Sequence, residues 1–347
     1  MLASSSRILA AGFRSLLMVA RVVGVFAVML VATSAQADPA RVDAAMKAAR
    51  EATARGNAAA AADLLMAAWS SVQQDPSASA DDQVRLADAL VSRLVDVQRF
   101  AEAEAVGRAG IAMLPQVKNP RIAAEGASIF PAPLTRLGKS AEAERMFREA
   151  ETWRLRVPGD TRALQMANAQ RLAVALALQG KLDEAAAILQ PLTPVVLAAD
   201  YPDPVRGLVI PQTLAGLYIL QGKQEQAVPV LEQMKPRALL LWTSPRQKAE
   251  FLETLGEAYR MTERNAEARD TYLEGLSTLA GGQAGAVSTE ATLNANLARV
   301  LLLLGDPSAA ASRSDAALAL IRARVRAARD GAGSLSVQDE TLLRGVM

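Results

Sequence analysis

Residues Leu214–Leu231 read LAGLYILQGKQEQAVPVL, an apolar run that is interrupted by Gln-Gly-Lys and then resumes. Large apolar residues four positions apart, such as Leu214 and Tyr218, lie one turn apart on a helix and form a stripe that must face another element. Gly222 has the permissive backbone that ends a helix, and Glu225 places an acid near the start of the next one. The stretch therefore predicts a helical hairpin that turns at Gly222.

The same hairpin pattern recurs along the chain at nearly constant intervals. Successive breaks are separated by 42, 40, 42, 42, 41 and 42 residues, and they fall at Gly56, Gln98, Gly138, Gly180, Gly222, Glu263 and Gly305. A hairpin of this size cannot bury its own apolar stripe, so seven hairpins must stack around a shared core. The sequence thus predicts an all-α repeat protein. Because Gln98 and Glu263 are not glycine, we expect their turns to avoid the left-handed backbone conformation.

The repeat holds position by position when residues are counted from each break as position 0. Position +5 is alanine in all seven repeats, and position −7 is small in all but the second and third, which lets two helices approach closely. Pro131 and Pro133 lie inside the first helix of the third repeat and predict a late start or a kink there. Positions −8 and −4 are large and apolar in every repeat but the first: Leu90, Phe130, Leu172, Leu214, Leu255 and Leu297 at −8, and Leu94, Leu134, Leu176, Tyr218, Tyr259 and Leu301 at −4.

The first 37 residues have the pattern of a secretory signal peptide. Arg7, Arg14 and Arg21 form a basic region without acids, residues 22–32 are a short apolar core, and residues 35–37 form a small-x-small cleavage site. The apolar run of 11 residues is shorter than the roughly 20 that a spanning helix needs. We therefore predict cleavage after Ala37, no membrane span in the mature chain, and a location in the periplasm or outside the cell.

Composition excludes several classes of function. Removal of residues 1–37 takes three of the 38 basic residues and none of the 36 acidic ones, so the net charge changes from +2 to −1 and no basic domain remains to bind nucleic acid. The chain contains neither cysteine nor histidine, which excludes Cys/His zinc sites, cysteine nucleophiles and Ser-His or Cys-His catalytic pairs. The sequence predicts no cofactor, no metal and no catalytic residue, and hence a protein that is not an enzyme.

Five residues of the sixth repeat carry a resemblance to a known family: Leu255-Gly256, Tyr259, Ala268 and Tyr272 stand at the spacings of the tetratricopeptide repeat (TPR) signature. The other repeats carry degraded versions. The period near 42, the proline at position +7 of the fifth repeat and the segment DYPDP at 200–204 resemble the extended, kinesin-light-chain-like class of these repeats. The resemblance implies a right-handed α-α superhelix, a TPR-like solenoid of about seven hairpins.

The resemblance also suggests the domain organisation. It covers nearly all of the mature chain, and we assign residues 38–330 to the solenoid after a signal peptide at 1–37. Residues 331–347 lose the repeat pattern, so we expect a poorly ordered tail there. An alternative is that its last six residues, LLRGVM, form a short docking helix.

In such solenoids the first helix of each hairpin lines the concave, binding face, and the resemblance implies that its exposed positions lie near −13, −10, −6, −3 and −2. The C-terminal-carboxylate clamp of Lys and Asn residues that some family members carry is not matched, so that ligand is not predicted. The candidate partner-binding residues at or beside the exposed positions are Gln170 and Arg171, Gln212 and Thr213, Glu250, Glu253, Glu257 and Arg260, and Asn296 and Arg299.

Two groups of candidates have two interpretations each. Glu250, Glu253 and Glu257 are spaced along one helical ridge and form either a patch for a basic peptide segment or a solvated face. The amides of Gln170 and Gln212 either hold the backbone of an extended peptide or are ordinary surface groups.

Three functional hypotheses follow. The first is an exported, non-enzymatic scaffold that binds a protein or peptide partner. The second is the sensor or adaptor half of a system with a caspase-like (CHAT-type) protease, because the exported repeat arrays that this chain resembles are often fused to a caspase-like protease domain. The third is a carboxylate-dependent hydrolase that uses Glu250, Glu253 and Glu257.

The repeat register makes a direct prediction for stability. Leu255, at position −8 of the sixth repeat, should lie in the core, so the substitution Leu255→Ala should lower the free energy of unfolding by about 2–5 kcal/mol, as for other buried leucines. Chemical denaturation measures this loss. A loss below about 0.5 kcal/mol would mean that the register is wrong.

Overall fold

The computed structural model describes residues 39–280 and 286–329. The predicted signal peptide at 1–37 and the predicted tail at 331–347 lie outside the described residues, so both remain predictions. Within the described ranges every regular element is a helix and none is a strand, and these helices are arranged as antiparallel hairpins. The predicted all-α class is confirmed.

The described chain forms two compact units that divide at Gly180, the break of the fourth repeat. The helices of the first unit are α1 (Pro39–Ala54), α2 (Ala58–Gln73), α3 (Ala80–Asp96), α4 (Phe100–Met113), α5 (Pro120–Ile129), α6 (Ala132–Arg136), α7 (Ser140–Arg154) and α8 (Arg162–Ala177). A short 3₁₀ turn, Leu114–Gln116, follows α4. In this unit α1, α3, α5 and α8 are the first helices of their repeats, and each contacts the next.

The second unit repeats the hairpin after an irregular start. Its helices are α9 (Leu182–Leu189), α10 (Thr193–Val196), α11 (Pro204–Gly207), α12 (Val209–Leu220), α13 (Gln224–Leu241), α14 (Pro245–Met261), α15 (Asn265–Leu279), α16 (Val287–Leu303) and α17 (Pro307–Arg329). A 3₁₀ turn, Gln190–Leu192, joins α9 to α10. Here α12, α14 and α16 are first helices, and α14 and α16 lie in contact.

All seven predicted breaks adopt a left-handed backbone conformation. The φ angles are 78° at Gly56, 74° at Gly138, 78° at Gly180, 70° at Gly222 and 81° at Gly305, and they are 61° at Gln98 and 60° at Glu263. The expectation that the two non-glycine turns avoid this conformation is therefore wrong. The reason lies in the hydrogen bonds that close the first helix of each hairpin.

In each of the six repeats that lie within one unit, the N–H at position +1 donates to the carbonyl at position −4. Examples are Lys223 to Tyr218 at 2.8 Å and Arg264 to Tyr259 at 2.9 Å. This is the bond of the Schellman motif, and it requires a left-handed residue between helix and turn whatever its side chain. Gln98 and Glu263 adopt the conformation because the hairpin geometry imposes it.

Close helix contact depends on the small residues that the repeat pattern predicts. Leu255 is 0% exposed, and the alanine at +5 of the same repeat, Ala268, is also fully buried. At position −7, a Cβ added to Gly256 would lie 2.4 Å from Cε1 of Tyr272, which is closer than any real contact. Gly256 therefore makes room on α14 for the Tyr272 ring of α15, which is itself fully buried.

The first helix of the third repeat is interrupted near its two prolines, as the sequence predicts. The first helix is divided between α5 and α6, with Phe130 and Pro131 at the division, so the predicted kink is confirmed. Phe130 is 2% exposed, and its ring fills a space bordered by glycines. A Cβ on Gly110 or Gly126 would lie 2.5 Å or 2.8 Å from that ring, so both positions need glycine for packing.

The left-handed turns predict an unusual gain in stability. Replacing Glu263 with glycine should raise the free energy of unfolding by about 0.5–1 kcal/mol, because relief of the strained φ outweighs the greater freedom of glycine in the unfolded chain. The reverse change at the matched break, Gly222→Gln, should lower it by a similar amount. Urea denaturation of the three proteins measures both effects, and a loss of stability in Glu263→Gly contradicts the argument.

Candidate functional site

The predicted binding residues lie on first helices, as the register requires, but they divide between the two units. Gln170 and Arg171 lie on α8 of the first unit. In the second unit Gln212 and Thr213 lie on α12, the four charged candidates lie on α14, and Asn296 and Arg299 lie on α16. We call Glu250, Glu253 and Glu257 of α14 the acidic ridge.

Two members of the acidic ridge already have cationic partners on α14. Nε of Arg246 donates to Oε1 of Glu250 at 2.7 Å, and Nε of Arg260 donates to Oε2 of Glu257 at 2.8 Å. The buried Tyr272 of α15 donates its hydroxyl to the same oxygen of Glu257 at 3.1 Å. Burial acts to raise the pKa of Glu257, but Arg260, Tyr272 and the charge of Arg299 on α16 hold it below its usual range. The structure thus brings Glu257, Arg260 and Arg299 together.

Glu253, at the centre of the ridge, is different. It is half-buried, and it forms no hydrogen bond or ion pair within the part of the chain that the structure describes. Burial raises the pKa of its carboxyl to about 7, and the neighbouring carboxylates of Glu250 and Glu257 add to the effect. The charged form of Glu253 is therefore disfavoured until a cation approaches it.

The remaining candidates differ in how accessible they are. Gln212 and Arg299 are exposed, and Gln170 is half-buried. The hydroxyl of Thr213 donates to the carbonyl of Val209 at 2.7 Å, within its own helix. Asn296 is only 8% exposed, so the expectation that it lies on the exposed face is wrong. It stands at position −9, next to the expected exposed position −10.

Arg171 of the first unit belongs to a charged group that the sequence reasoning did not find. Its Nη1 donates to Oγ of Ser128 on α5 at 2.7 Å. On α3, burial raises the pKa of Asp88 to about 6, and the charge of Arg171 partly opposes this shift. Glu125 of α5 adds a further carboxyl whose pKa is raised by burial. Asp88 stands at position −10, the same as Glu253, so applying the register to every repeat would have found it.

The sequence reasoning also missed an apolar feature of the second unit. Leu220, Met261 and Leu303 stand at position −2 of the fifth, sixth and seventh repeats, and they are 70%, 44% and 59% exposed. We call these three residues the apolar row. The sequence could have revealed this row, because −2 is one of the positions expected to be exposed. The second and third repeats carry charged residues at that position, Asp96 and Arg136, so the apolar residues of the later repeats stand out.

Two further tests concern the described residues alone. No group of three or more Asp or Glu side chains in the described ranges is placed to hold a metal ion. Among the same residues, no helix combines the length and apolar character needed to cross a membrane.

The raised pKa of Glu253 predicts a pH-dependent stability. Because the folded protein binds this proton more tightly than the unfolded chain does, stability should fall as the pH rises from about 4.5 to about 7. The substitution Glu253→Gln should remove this loss and raise the free energy of unfolding by about 1–2 kcal/mol at pH 8, while changing little at pH 4.

Thermal unfolding between pH 4 and pH 8 measures the effect. The matched control is Asp270→Asn, which alters an exposed acid of α15 and should leave the pH dependence unchanged. If Glu253→Gln and the parent differ in melting temperature by the same amount at pH 4 and at pH 8, the argument is contradicted.

The comparisons with known proteins identify the fold. No protein-family model and no curated protein matches the chain. Among solved structures, BtubC (BKLC) from P. vanneervenii is similar with a TM-score of 0.53 at 18% identity, over 73% of this chain and 94% of that one. A single-residue variant of the kinesin light chain TPR-like repeats from Podosopora anserina is similar with a TM-score of 0.50 at 17% identity, over 60% of this chain and 99% of that one. These likenesses agree with the hairpins and turns described above, and they show that the chain has the fold of a TPR-like helical repeat protein.

Proposed function

We propose that this protein is an exported, non-enzymatic scaffold that binds a basic segment of a protein partner on the first helices of its second unit. The observation that carries the proposal is the half-buried carboxyl of Glu253, which lies between two paired carboxylates and has no cation of its own. Export rests on the pattern of residues 1–37. The TPR-like fold supports protein binding as the general role, because such hairpin repeats expose extended surfaces.

The chemistry of the ridge favours a lysine or arginine side chain as the group that is recognised. Removing a carboxylate from water costs free energy unless a cation compensates for the loss. Glu250 and Glu257 receive this compensation from Arg246 and Arg260 of the same helix. Glu253 does not, so a cation from a partner would restore its charge and gain a charge-assisted hydrogen bond.

The apolar row supplies the second part of the surface. Met261 lies eight residues after Glu253 on the same face of α14, which corresponds to about 12 Å along the helix. Protein interfaces commonly combine a desolvated apolar contact with polar groups beside it. A partner segment that carries a basic residue and an apolar residue at a comparable separation would contact both features.

The two other hypotheses make different demands on the same residues. If the chain is the sensor or adaptor half of a system with a caspase-like protease, the basic segment belongs to that protease. A carboxylate-dependent hydrolase would use Glu253 as a general acid beside the ionised Glu257, an arrangement that acid-base enzymes use. We favour the scaffold because the arginines of α14 hold Glu250 and Glu257 in ion pairs.

The test uses synthetic peptides on the full chain, because the natural partner is unidentified. Three 18-residue peptides, built from Lys and Leu, from Lys and Ser, and from Glu and Leu, are titrated by fluorescence anisotropy at pH 6 and pH 8. We expect the Lys/Leu peptide to bind most tightly. Its affinity should increase about fivefold from pH 6 to pH 8, because ionisation of Glu253 near pH 7 creates the acceptor and the uncharged form should bind about tenfold more weakly.

Variants distinguish a specific contribution of the acidic ridge to peptide binding from a general effect of net charge. Glu253→Gln should weaken Lys/Leu binding about tenfold at pH 8 and remove the pH dependence, as expected for the loss of one charge-assisted bond. The control Asp270→Asn, on the second helix of the same hairpin, should bind like the parent. Equal binding of the Glu/Leu and Lys/Leu peptides, or unchanged binding by Glu253→Gln, would reject the proposal.

A further inference from the structure

The first unit contains a pocket that is separate from the residues of the proposed function. It has a volume of about 310 Å³ and lies between α1 and α3, with α2 beneath it. Its apolar side is formed by Met46 and Ala49 of α1 and by Leu65 of α2, and its rim carries Arg50, Ser92 and Arg93.

Half of the side chains that line the pocket are short. Thr53 of α1 and Ala89 of α3 complete the lining, beside Ala49 of α1 and Ser92 of α3. The floor is nevertheless well buried, since Ala49 is 4% exposed and Leu65 is 1% exposed. Met46 and Ala89 are half-buried, and they provide the apolar surface that remains accessible in the pocket.

The charges at the rim are all of one sign. Arg50 is exposed and forms no ion pair within the described residues, whereas Arg93 pairs with Asp96 at 2.9 Å and remains one-third exposed. Ser92 adds a hydroxyl that can donate a hydrogen bond. None of the residues that line the pocket is acidic. Arginine binds carboxylates through paired N–H donors, so this rim suits a single carboxylate.

We propose that this pocket binds a monocarboxylate with an unbranched apolar chain, a fatty acid of medium length. The carboxylate lies between Arg50 and Arg93 within reach of Ser92, and the chain covers Met46 and Ala89. The volume fits roughly ten non-hydrogen atoms, taking about 30 Å³ for each as for a water molecule in the liquid. Octanoate has that size.

A peptide C-terminus offers the same carboxylate, but it brings backbone N–H groups into contact with the floor. Met46, Ala49, Leu65 and Ala89 present no side-chain hydrogen-bond acceptor to those groups, and the hydroxyl of Thr53 is directed to the carbonyl of Ala49, to which it donates at 2.9 Å. Burying an unpaired amide costs free energy, whereas a hydrocarbon chain incurs no such cost. The lining therefore favours a fatty acid over a peptide.

The experiment is an isothermal titration of the full chain with octanoate, octan-1-ol, acetate and the tripeptide Gly-Gly-Leu. We expect octanoate to bind at least tenfold more tightly than each of the other three. If octan-1-ol binds as tightly as octanoate, the arginines contribute nothing to binding. If acetate binds as tightly as octanoate, the apolar lining contributes nothing. Tighter binding of Gly-Gly-Leu would favour the peptide. Each of these outcomes overturns the proposal.

Variants test the named residues. Arg50→Gln should weaken octanoate binding about tenfold, while Arg55→Gln, which removes an exposed arginine just beyond α1 and outside the pocket, should leave it unchanged. Ser92→Leu should fill the pocket from its rim and abolish binding, with circular dichroism and thermal unfolding used to check that the variant is folded. Unchanged binding in Arg50→Gln or in folded Ser92→Leu overturns the proposal. Because the pocket lies in the first unit, its failure would leave the peptide-binding proposal untouched.

Discussion

A single backbone hydrogen bond, from the N–H just after the turn to the carbonyl five residues earlier, closes the hairpins of this protein. It measures 2.8–3.0 Å in the six repeats that lie within one unit, and it forces a left-handed residue into each turn. With the turn closed in this way, the second helix of the hairpin runs back along the first. Alanine at +5 in every repeat, and a small residue at −7 in five of the seven, suit the close approach of the two helices.

The constancy of that turn explains which features could be predicted from the sequence. Gly222 and its equivalents, the buried Leu255 and the break at Pro131 all follow from residue type and spacing. The conformation of Gln98 and Glu263 could not be predicted from their own propensities, because the hydrogen bond around them overrides the cost of a left-handed side chain. Intrinsic propensity describes a residue in isolation, whereas the hydrogen bonding of the hairpin determines the backbone conformation of these two residues.

The candidate site was predictable in register but not in detail. Position along the helix predicts which side chains share a face, and it correctly grouped Glu250, Glu253 and Glu257. It does not reveal depth, so Asn296 was expected to be exposed although it is 8% exposed. Nor does it reveal partners: the difference between Glu253 and its two neighbours arises from the arginines that happen to lie one turn from Glu250 and Glu257. Asp88 stands at position −10 and so follows from the register, but the burial that raises its pKa cannot be read from that position.

The hydroxyl of Tyr272 connects the interior of the sixth hairpin to its surface. The ring occupies the space left by Gly256, and its hydroxyl donates to Glu257 on the acidic ridge. The position of a surface carboxylate is thus set in part by the fit of a ring inside the core. In a genetic screen for lost partner binding, substitutions at Gly256 and Tyr272 would be recovered beside true contact residues, although neither touches the partner. Only their effect on folding would separate the two groups.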